Sequence, residues 1–142
     1  MQNYNHENIG ELTNLDQYVF DPANSPLRLE SKLFLKEQMG LTGMEVSLNK
    51  DAPGTGMNFF HRHNQNEELY IFMGGKGEMQ IDGNRFAVAE GSVVRVEPEA
   101  SRSWWNTGDQ DLYYVVIQTR KDSMDTSTGD DGELVEGEVP WR

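Results

Sequence analysis

Short strand-like segments separated by turns follow one another between residues 30 and 120, and this spacing restricts the fold more than any other feature of the chain. Residues 44–48 alternate apolar and polar side chains, as a strand with one buried face does. Residues 68–73 are rich in aromatic and β-branched side chains, which is typical of a buried strand. Asp82-Gly83 lies between two further segments and is a strong signal for a hairpin turn. Because no convincing helix pattern occurs in this range, the sequence predicts an all-β sandwich or closed barrel.

The two ends of the chain lack this pattern. Residues 1–29 are polar and rich in turn formers, which predicts an irregular N-terminal arm before the barrel of residues 30–120. Residues 121–142 form an acidic C-terminal tail that cannot bury enough apolar surface to fold alone. The end of this tail, Val139-Pro140-Trp141, is expected to anchor on the body or on a partner subunit. The apolar residues expected to pack the arm on the barrel are Leu12, Leu15, Tyr18, Val19 and Phe20.

Composition and charge exclude several classes of partner. The formal net charge is −12 at pH 7, and phosphate binding depends on a surplus of lysine and arginine, so neither nucleic acid nor an anionic membrane is expected as a partner. No apolar run approaches the roughly 20 residues of a transmembrane helix, and the N-terminus lacks the features of a signal peptide. The chain has no cysteine, so a metal site must use histidine, carboxylate or water. A cytoplasmic location fits these features.

A pair of histidines and a following carboxylate form the main candidate site. His61 and His63 are two residues apart, so on an extended strand both imidazoles point to one face. After the polar loop of residues 64–66, Glu67 and Glu68 begin the next strand, and a hairpin would bring one of them beside the two rings. Two histidines and one carboxylate with open positions suit non-haem iron(II), and they also accommodate manganese, nickel, cobalt or zinc.

The first signature motif of the cupin superfamily resembles a run of residues in this chain, Gly56-x4-His61-x-His63-x4-Glu68-x6-Gly75. The resemblance covers roughly residues 30–120. The second motif of the family resembles the positions of Gly91, Pro98 and Asn106.

This resemblance implies a double-stranded β-helix, a jelly-roll barrel of two antiparallel sheets, with irregular arms at both ends. It also implies that a divalent metal ion (iron, manganese, nickel or zinc) is held inside the barrel by His61, His63 and Glu68, and that the chain forms a homodimer. Glu67 fits the motif equally well by count. Glu68 is preferred because it directly opens the apolar strand.

The second motif departs from the family pattern, because it lacks the histidine that supplies the fourth metal ligand. Arg102 stands at that place when the count runs back from Asn106, and Ser103 stands there when the count runs forward from Pro98. We favour Arg102. An arginine is always protonated and has only hydrogen-bond donors, so it cannot replace the missing ligand.

Three interpretations of Arg102 remain open. In the first, three protein ligands hold the metal and Arg102 clamps an anionic substrate through its bidentate fork. In the second, metal affinity is lost, and the barrel binds an acidic ligand with His61, His63 and Arg102. In the third, Arg102 points out of the barrel and pairs with Glu97 or Glu99.

Residues on the same strand faces as the metal ligands or Arg102 are expected to surround the substrate. Trp104 either lines this pocket or only packs in the core. The substrate-binding candidates are Arg102, Trp104, Tyr70, Phe59 and Met57.

The resemblance implies a metal-binding barrel whose partner is a small molecule, polar or anionic. One prediction is an enzyme of the oxygenase, isomerase or decarboxylase type. The alternative is a non-catalytic cupin that binds a small molecule with or without metal.

Overall fold

The computed structural model describes residues 2–124 and 131–141. Within these ranges it confirms the all-β prediction, and residues 125–130 of the predicted tail lie outside it. The strands are β1 (Val19–Phe20), β2 (Leu29–Glu30), β3 (Lys32–Phe34), β4 (Glu45–Asp51), β5 (Asn66–Gly74), β6 (Lys76–Ile81), β7 (Asn84–Ala89), β8 (Val93–Val96), β9 (Arg102–Asn106) and β10 (Leu112–Arg120).

Two short helices accompany the strands. A 3-10 helix spans Leu12–Gln17, and a single-turn helix, α1, spans Lys36–Met39. The absence of helix predicted for residues 30–120 is therefore wrong at this one turn. Good helix formers build α1, and Gly40 ends it in a left-handed conformation with φ of 65°. Neither helix of the described ranges has the length and apolar character needed to cross a bilayer.

Two antiparallel sheets form the barrel. The larger sheet has the strand order β3-β4-β10-β5-β8, and the smaller has the order β7-β6-β9. The predicted turn at Asp82-Gly83 joins β6 to β7, and both residues adopt positive φ (47° and 84°) as a tight hairpin turn requires. This arrangement is the jelly roll that the resemblance to the cupin superfamily implies.

The core lies between the two sheets, where alternate residues of each strand point inward. The alternation is clear in β9, in which Trp104 is 3% exposed and Trp105 is 39% exposed. The main core cluster comprises Tyr70, Phe72, Met79, Val88, Val96, Ala100, Trp104, Leu112, Tyr114 and Val116.

The N-terminal arm packs against β3 and β4. Its strands β1 and β2 pair with each other in a small sheet of their own. Leu15 is buried as expected, but Leu12 and Val19 are about two-fifths exposed, so the prediction is wrong for these two. Strand alternation turns Val19 outward and Phe20 inward, and the ring of Phe20 meets that of Phe34 edge to face at 4.9 Å.

The tail residues that the structure describes are exposed throughout 131–141. Val139 is 42% exposed and Trp141 is 85% exposed, so the expected anchor of the tail on the body is wrong. Anchoring on a partner subunit stays a prediction.

Candidate metal centre

His61 and His63 lie on an extended segment between β4 and β5, which is not the regular strand that their spacing predicts. A bend at Phe59 interrupts the pairing of this segment with β9. The backbones of His61 and Arg102 nevertheless exchange hydrogen bonds of 3.2 and 3.0 Å, and the His63 N–H donates to the Pro98 carbonyl at 2.8 Å. These bonds fix the segment along the edge of β9.

Glu68 is the carboxylate that faces the two histidines. It lies on the inner face of β5 and is 4% exposed. The next residue back, Glu67, points to the opposite face, as strand alternation requires, and its Oε2 is 2.8 Å from Nη2 of Arg95. The preference for Glu68 over Glu67 agrees with this geometry.

The three side chains of the candidate metal centre converge. One ligand atom from each of His61, His63 and Glu68 lies within 4.8 Å of the other two. His63 Nε2 is 3.3 Å from Glu68 Oε2, and His61 Nε2 is 3.8 Å from Glu68 Oε1. All three residues border one cavity, so a metal ion held by them would keep positions for water or a substrate.

The donor atoms fit a metal ion. His63 Nε2 and His61 Nδ1 are buried and have no hydrogen-bond partner within the described ranges, whereas buried polar atoms are ordinarily paired. Burial lowers the pKa of His61 to about 4, and the charge of Glu68 only partly opposes this effect. The imidazole is therefore neutral at pH 7, which is the form that binds a metal.

Neighbouring aromatic residues hold the ligands in place. The Tyr70 hydroxyl donates to Glu68 Oε1 at 2.7 Å. Burial raises the pKa of Tyr70, and the charge of Glu68 adds to this, so the phenol keeps the proton it donates. The Trp104 ring lies 5.1 Å from that of Tyr70 and 5.8 Å from that of His61, and its Nε1 donates to the Tyr114 hydroxyl at 2.7 Å.

Arg102 takes the inner face of β9, whereas Ser103 faces away and donates to a backbone carbonyl. Arg102 is 0% exposed, so the outward-pointing alternative is wrong. Its Nε is 3.3 Å from Glu68 Oε1. Its two terminal nitrogens donate to the backbone carbonyls of His61, Glu97, Pro98 and Ala100.

These contacts hold the Arg102 guanidinium between Glu68 and the backbone carbonyls. It does not border the cavity that the metal candidates line. The anion clamp expected of Arg102 stays a prediction, but the geometry favours another role, in which Arg102 orients Glu68 and the turn that carries Pro98.

A cavity of about 220 Å³ adjoins the candidate metal centre. The other four substrate-binding candidates line it, namely Met57, Phe59, Tyr70 and Trp104. Trp104 therefore serves both as core residue and as cavity wall.

Sequence reasoning missed the residues that close the other side of this cavity. They come from the arm and from the strands of the larger sheet, and they include Phe20, Leu27, Leu29, Lys32, Phe34 and Ser47. Leu27 and Leu29 are two residues apart, as are Lys32 and Phe34, so a period-two pattern at the end of the arm and in β3 was the available signal.

Comparisons with known proteins agree with this architecture. A cupin protein from Bacteroides fragilis has a similar structure, with a TM-score of 0.77 and 28% sequence identity over 96% of this chain and 100% of that one. A putative sugar phosphate isomerase from Acidithiobacillus ferrooxidans is 27% identical, with a TM-score of 0.56 over 64% of this chain and 59% of that chain. A predicted oxalate decarboxylase from Thermotoga maritima is 25% identical, with a TM-score of 0.58 over 66% of this chain and 81% of that chain.

The sequence comparisons give two matches. An uncharacterized protein of Methanocaldococcus jannaschii is 28% identical over 61 residues, which are 43% of this chain. The match spans about half the length of that curated relative (49%). The cupin domain model matches residues 48–118, which is half of the chain. With its two-sheet barrel and its inward-facing histidines, the chain belongs to the cupin family.

Proposed function

We propose that this protein binds a divalent metal ion through His61, His63 and Glu68 and uses it to bind and transform a small molecule in the adjoining cavity. One observation carries the proposal: three potential ligand atoms lie within 4.8 Å of one another at the edge of a cavity. The unpartnered Nε2 of His63, which faces Glu68, supports it, because a polar atom is costly to bury without a partner.

The residues around the centre have separate tasks in this proposal. Tyr70 and Arg102 hold the Glu68 carboxylate from one side, which fixes its orientation toward the histidines. The apolar walls of Met57 and Phe59 limit the water in the cavity. A bound divalent ion would supply Lewis acidity to an oxygen atom of the ligand.

We prefer the interpretation that the protein is an enzyme of the isomerase, decarboxylase or oxygenase type. The structural likeness to a putative sugar phosphate isomerase and to a predicted oxalate decarboxylase supports it. The site offers three protein ligands instead of the four in the family motif, and open coordination positions favour direct binding of a substrate to the metal.

A second candidate is a binding protein without catalysis. The observation that favours it is that neither Glu67 nor Tyr70 is free to act as an acid or base. Glu67 is turned away from the cavity to Arg95, and the Tyr70 hydroxyl is already committed to Glu68.

Metal analysis tests the proposed centre. Protein purified without chelator should carry about one divalent ion per chain, and His61→Ala and His63→Ala should each lower that content severely because each removes a ligand. Added metal at 100 times its Kd should stabilise the wild type by about 2.7 kcal/mol. Elemental analysis and thermal melting with nickel, manganese, iron and zinc give both quantities.

His6→Ala is the matched control, because His6 lies on the exposed arm. It should retain the metal content and the thermal shift of the wild type. Equal metal content in the His61→Ala, His63→Ala and His6→Ala variants would overturn the proposed centre.

The two candidate functions differ in what happens to a bound ligand. Consumption of the ligand by the metal-loaded protein, absent in His61→Ala, would assign an enzyme, and binding without consumption would assign a binding protein. The expected homodimer and cytoplasmic location stay predictions; sedimentation velocity and cell fractionation would test them.

A further inference from the structure

Lys32 places a cation in the same cavity as the candidate metal centre. It opens β3 and lies opposite Asn49 of β4. Its side chain lines the cavity together with His61, His63 and Glu68. Neither the sequence motifs nor the metal centre assigns a role to this lysine.

Polar side chains of β4 surround the Lys32 ammonium group. Asn49 Oδ1 accepts a hydrogen bond from it at 2.6 Å, and Ser47 Oγ accepts another at 3.3 Å. Asn49 and Ser47 are 2% and 3% exposed. The Asn49 amide group donates to the Ser47 backbone and hydroxyl and to the Tyr114 carbonyl, so its oxygen is held toward the lysine.

These contacts leave the Lys32 charge without a contacting counter-ion. In the described part of the chain, no carboxylate oxygen lies within 4.0 Å of its ammonium nitrogen. An ammonium group has three hydrogen-bond donors, and the two neutral acceptors account for two of them. The nitrogen also lies 5.1 Å from the centre of the Phe34 ring, a cation–π contact, and one N–H stays available for a ligand.

The half-buried position of Lys32 makes this arrangement costly. Burial lowers the pKa of Lys32 to about 8, although the more distant carboxylates of Asp51, Glu68 and Glu45 act in the opposite direction. The ammonium form still predominates at pH 7. A methionine would fill the position without a charge, but it would leave the buried oxygen of Asn49 without its donor.

The other residues of the cavity and its volume restrict the kinds of ligand that it can bind. Arg102 is bound to Glu68 and to backbone carbonyls, which leaves Lys32 as the cation that borders the cavity among the residues described. Phe20, Leu27 and Phe34 provide apolar wall. The volume of about 220 Å³ equals the space of roughly seven water molecules, which suits a compound of about ten non-hydrogen atoms.

We propose that Lys32 binds the carboxylate of a small monocarboxylic acid whose apolar body fills the cavity between Lys32 and the metal centre. The assignment rests on the proposed function for the metal end of the cavity and adds the substrate class and the residue that selects it. The apolar wall and the single ammonium favour one carboxylate over a phosphate dianion or a sugar.

Matched pairs of acid and amide test this assignment. Benzoate with benzamide, and hexanoate with hexanamide, differ in charge but hardly in shape. Calorimetric titration of the metal-loaded and metal-free protein should give an affinity for each acid roughly tenfold or more above that for its amide, the factor expected of one charge-assisted hydrogen bond. Lys32→Met should abolish the preference, because the acid loses a charge-assisted hydrogen bond and the amide loses only a weaker one.

Two variants and one competitor complete the experiment. Lys32→Gln replaces Lys32→Met if the latter does not fold, and Lys36→Met is the control, because Lys36 is exposed and lies outside the cavity. An acid preference that survives in Lys32→Met or Lys32→Gln would overturn the proposal. So would the absence of acid binding by the wild type, or tighter binding of inorganic phosphate than of either acid.

The metal content of the same samples separates the two proposals. Loss of the acid preference in Lys32→Met with normal metal content supports the Lys32 assignment. A wild type that binds no metal but still prefers the acid would overturn only the proposed metal centre.

Discussion

At the residue scale, Arg102 stands where the count back from Asn106 puts the fourth metal ligand of the family motif. An arginine has only hydrogen-bond donors, so it cannot bind the metal. Its backbone pairs with His61, and its guanidinium lies against Glu68, so one residue supports two of the three candidate ligands. Removing it would leave the Glu68 carboxylate and several backbone carbonyls buried with fewer partners. Such groups are expensive to leave unpaired.

We expect Arg102→Met to lower the free energy of unfolding by about 3–5 kcal/mol, the cost of breaking a buried ion pair. It should also weaken metal binding, because Glu68 would lose its orientation. Denaturant unfolding and metal titration measure the two effects. Arg95→Met is the control, since Arg95 pairs with Glu67 on the surface and exposed pairs contribute little. A similar small loss in both variants would contradict the role assigned to Arg102.

At the scale of elements, the histidine-bearing segment depends on its close approach to β9. The Met57 N–H donates to the Trp104 carbonyl at 2.9 Å. A Cβ atom on Gly56 would lie 2.4 Å from that same carbonyl oxygen and 2.7 Å from Cα of Trp105. Only a glycine lets the chain enter the barrel here.

Gly56→Ala should therefore push the segment away from β9. We expect a loss of about 1–3 kcal/mol in the free energy of unfolding, as for other overpacked sites, together with weaker metal binding because His61 would move. Gly43→Ala is the control, as a Cβ there meets nothing within 4 Å. Chemical unfolding and metal titration of both variants compare them. Normal metal affinity in a folded Gly56→Ala variant would show that the segment tolerates the displacement.

The elements differ in how far their sequence reveals them. Strands such as β5 and β6 were predictable because apolar alternation and turn residues are local signals. The extended segment around His61 was harder, since isolated contacts with β9 rather than a ladder hold it. Lys32 was missed because a lysine within a strand pattern ordinarily marks the solvent side, and only the long-range pairing of β3 with β4 turns it inward.

At the scale of the whole molecule, the described residues of the tail contribute little to the stability of the barrel. Leu15 in the arm is 1% exposed, whereas Leu134 and Val135 in the tail are almost fully exposed. Apolar surface that stays in water contributes no hydrophobic stabilisation.

Deletion of residues 131–142 should consequently change the free energy of unfolding by less than about 0.5 kcal/mol, as for surface changes generally. Leu15→Ala is the contrasting variant and should cost about 2–5 kcal/mol. Thermal melts together with sedimentation velocity would follow both variants. A large loss of stability on deletion would contradict this expectation. A change from dimer to monomer would show that the tail packs against a partner subunit.

The cavity beside the candidate metal centre is lined by residues from two parts of the chain. The segment that matches the family model starts at residue 48, whereas Phe20, Leu27 and Lys32 all precede it. The candidate metal ligands lie within the matched segment, whereas these three residues on the other side of the cavity lie before it. Under the assignment proposed for Lys32, an exchange of residues 20–34 would change which ligand binds while His61 and His63 stay in place.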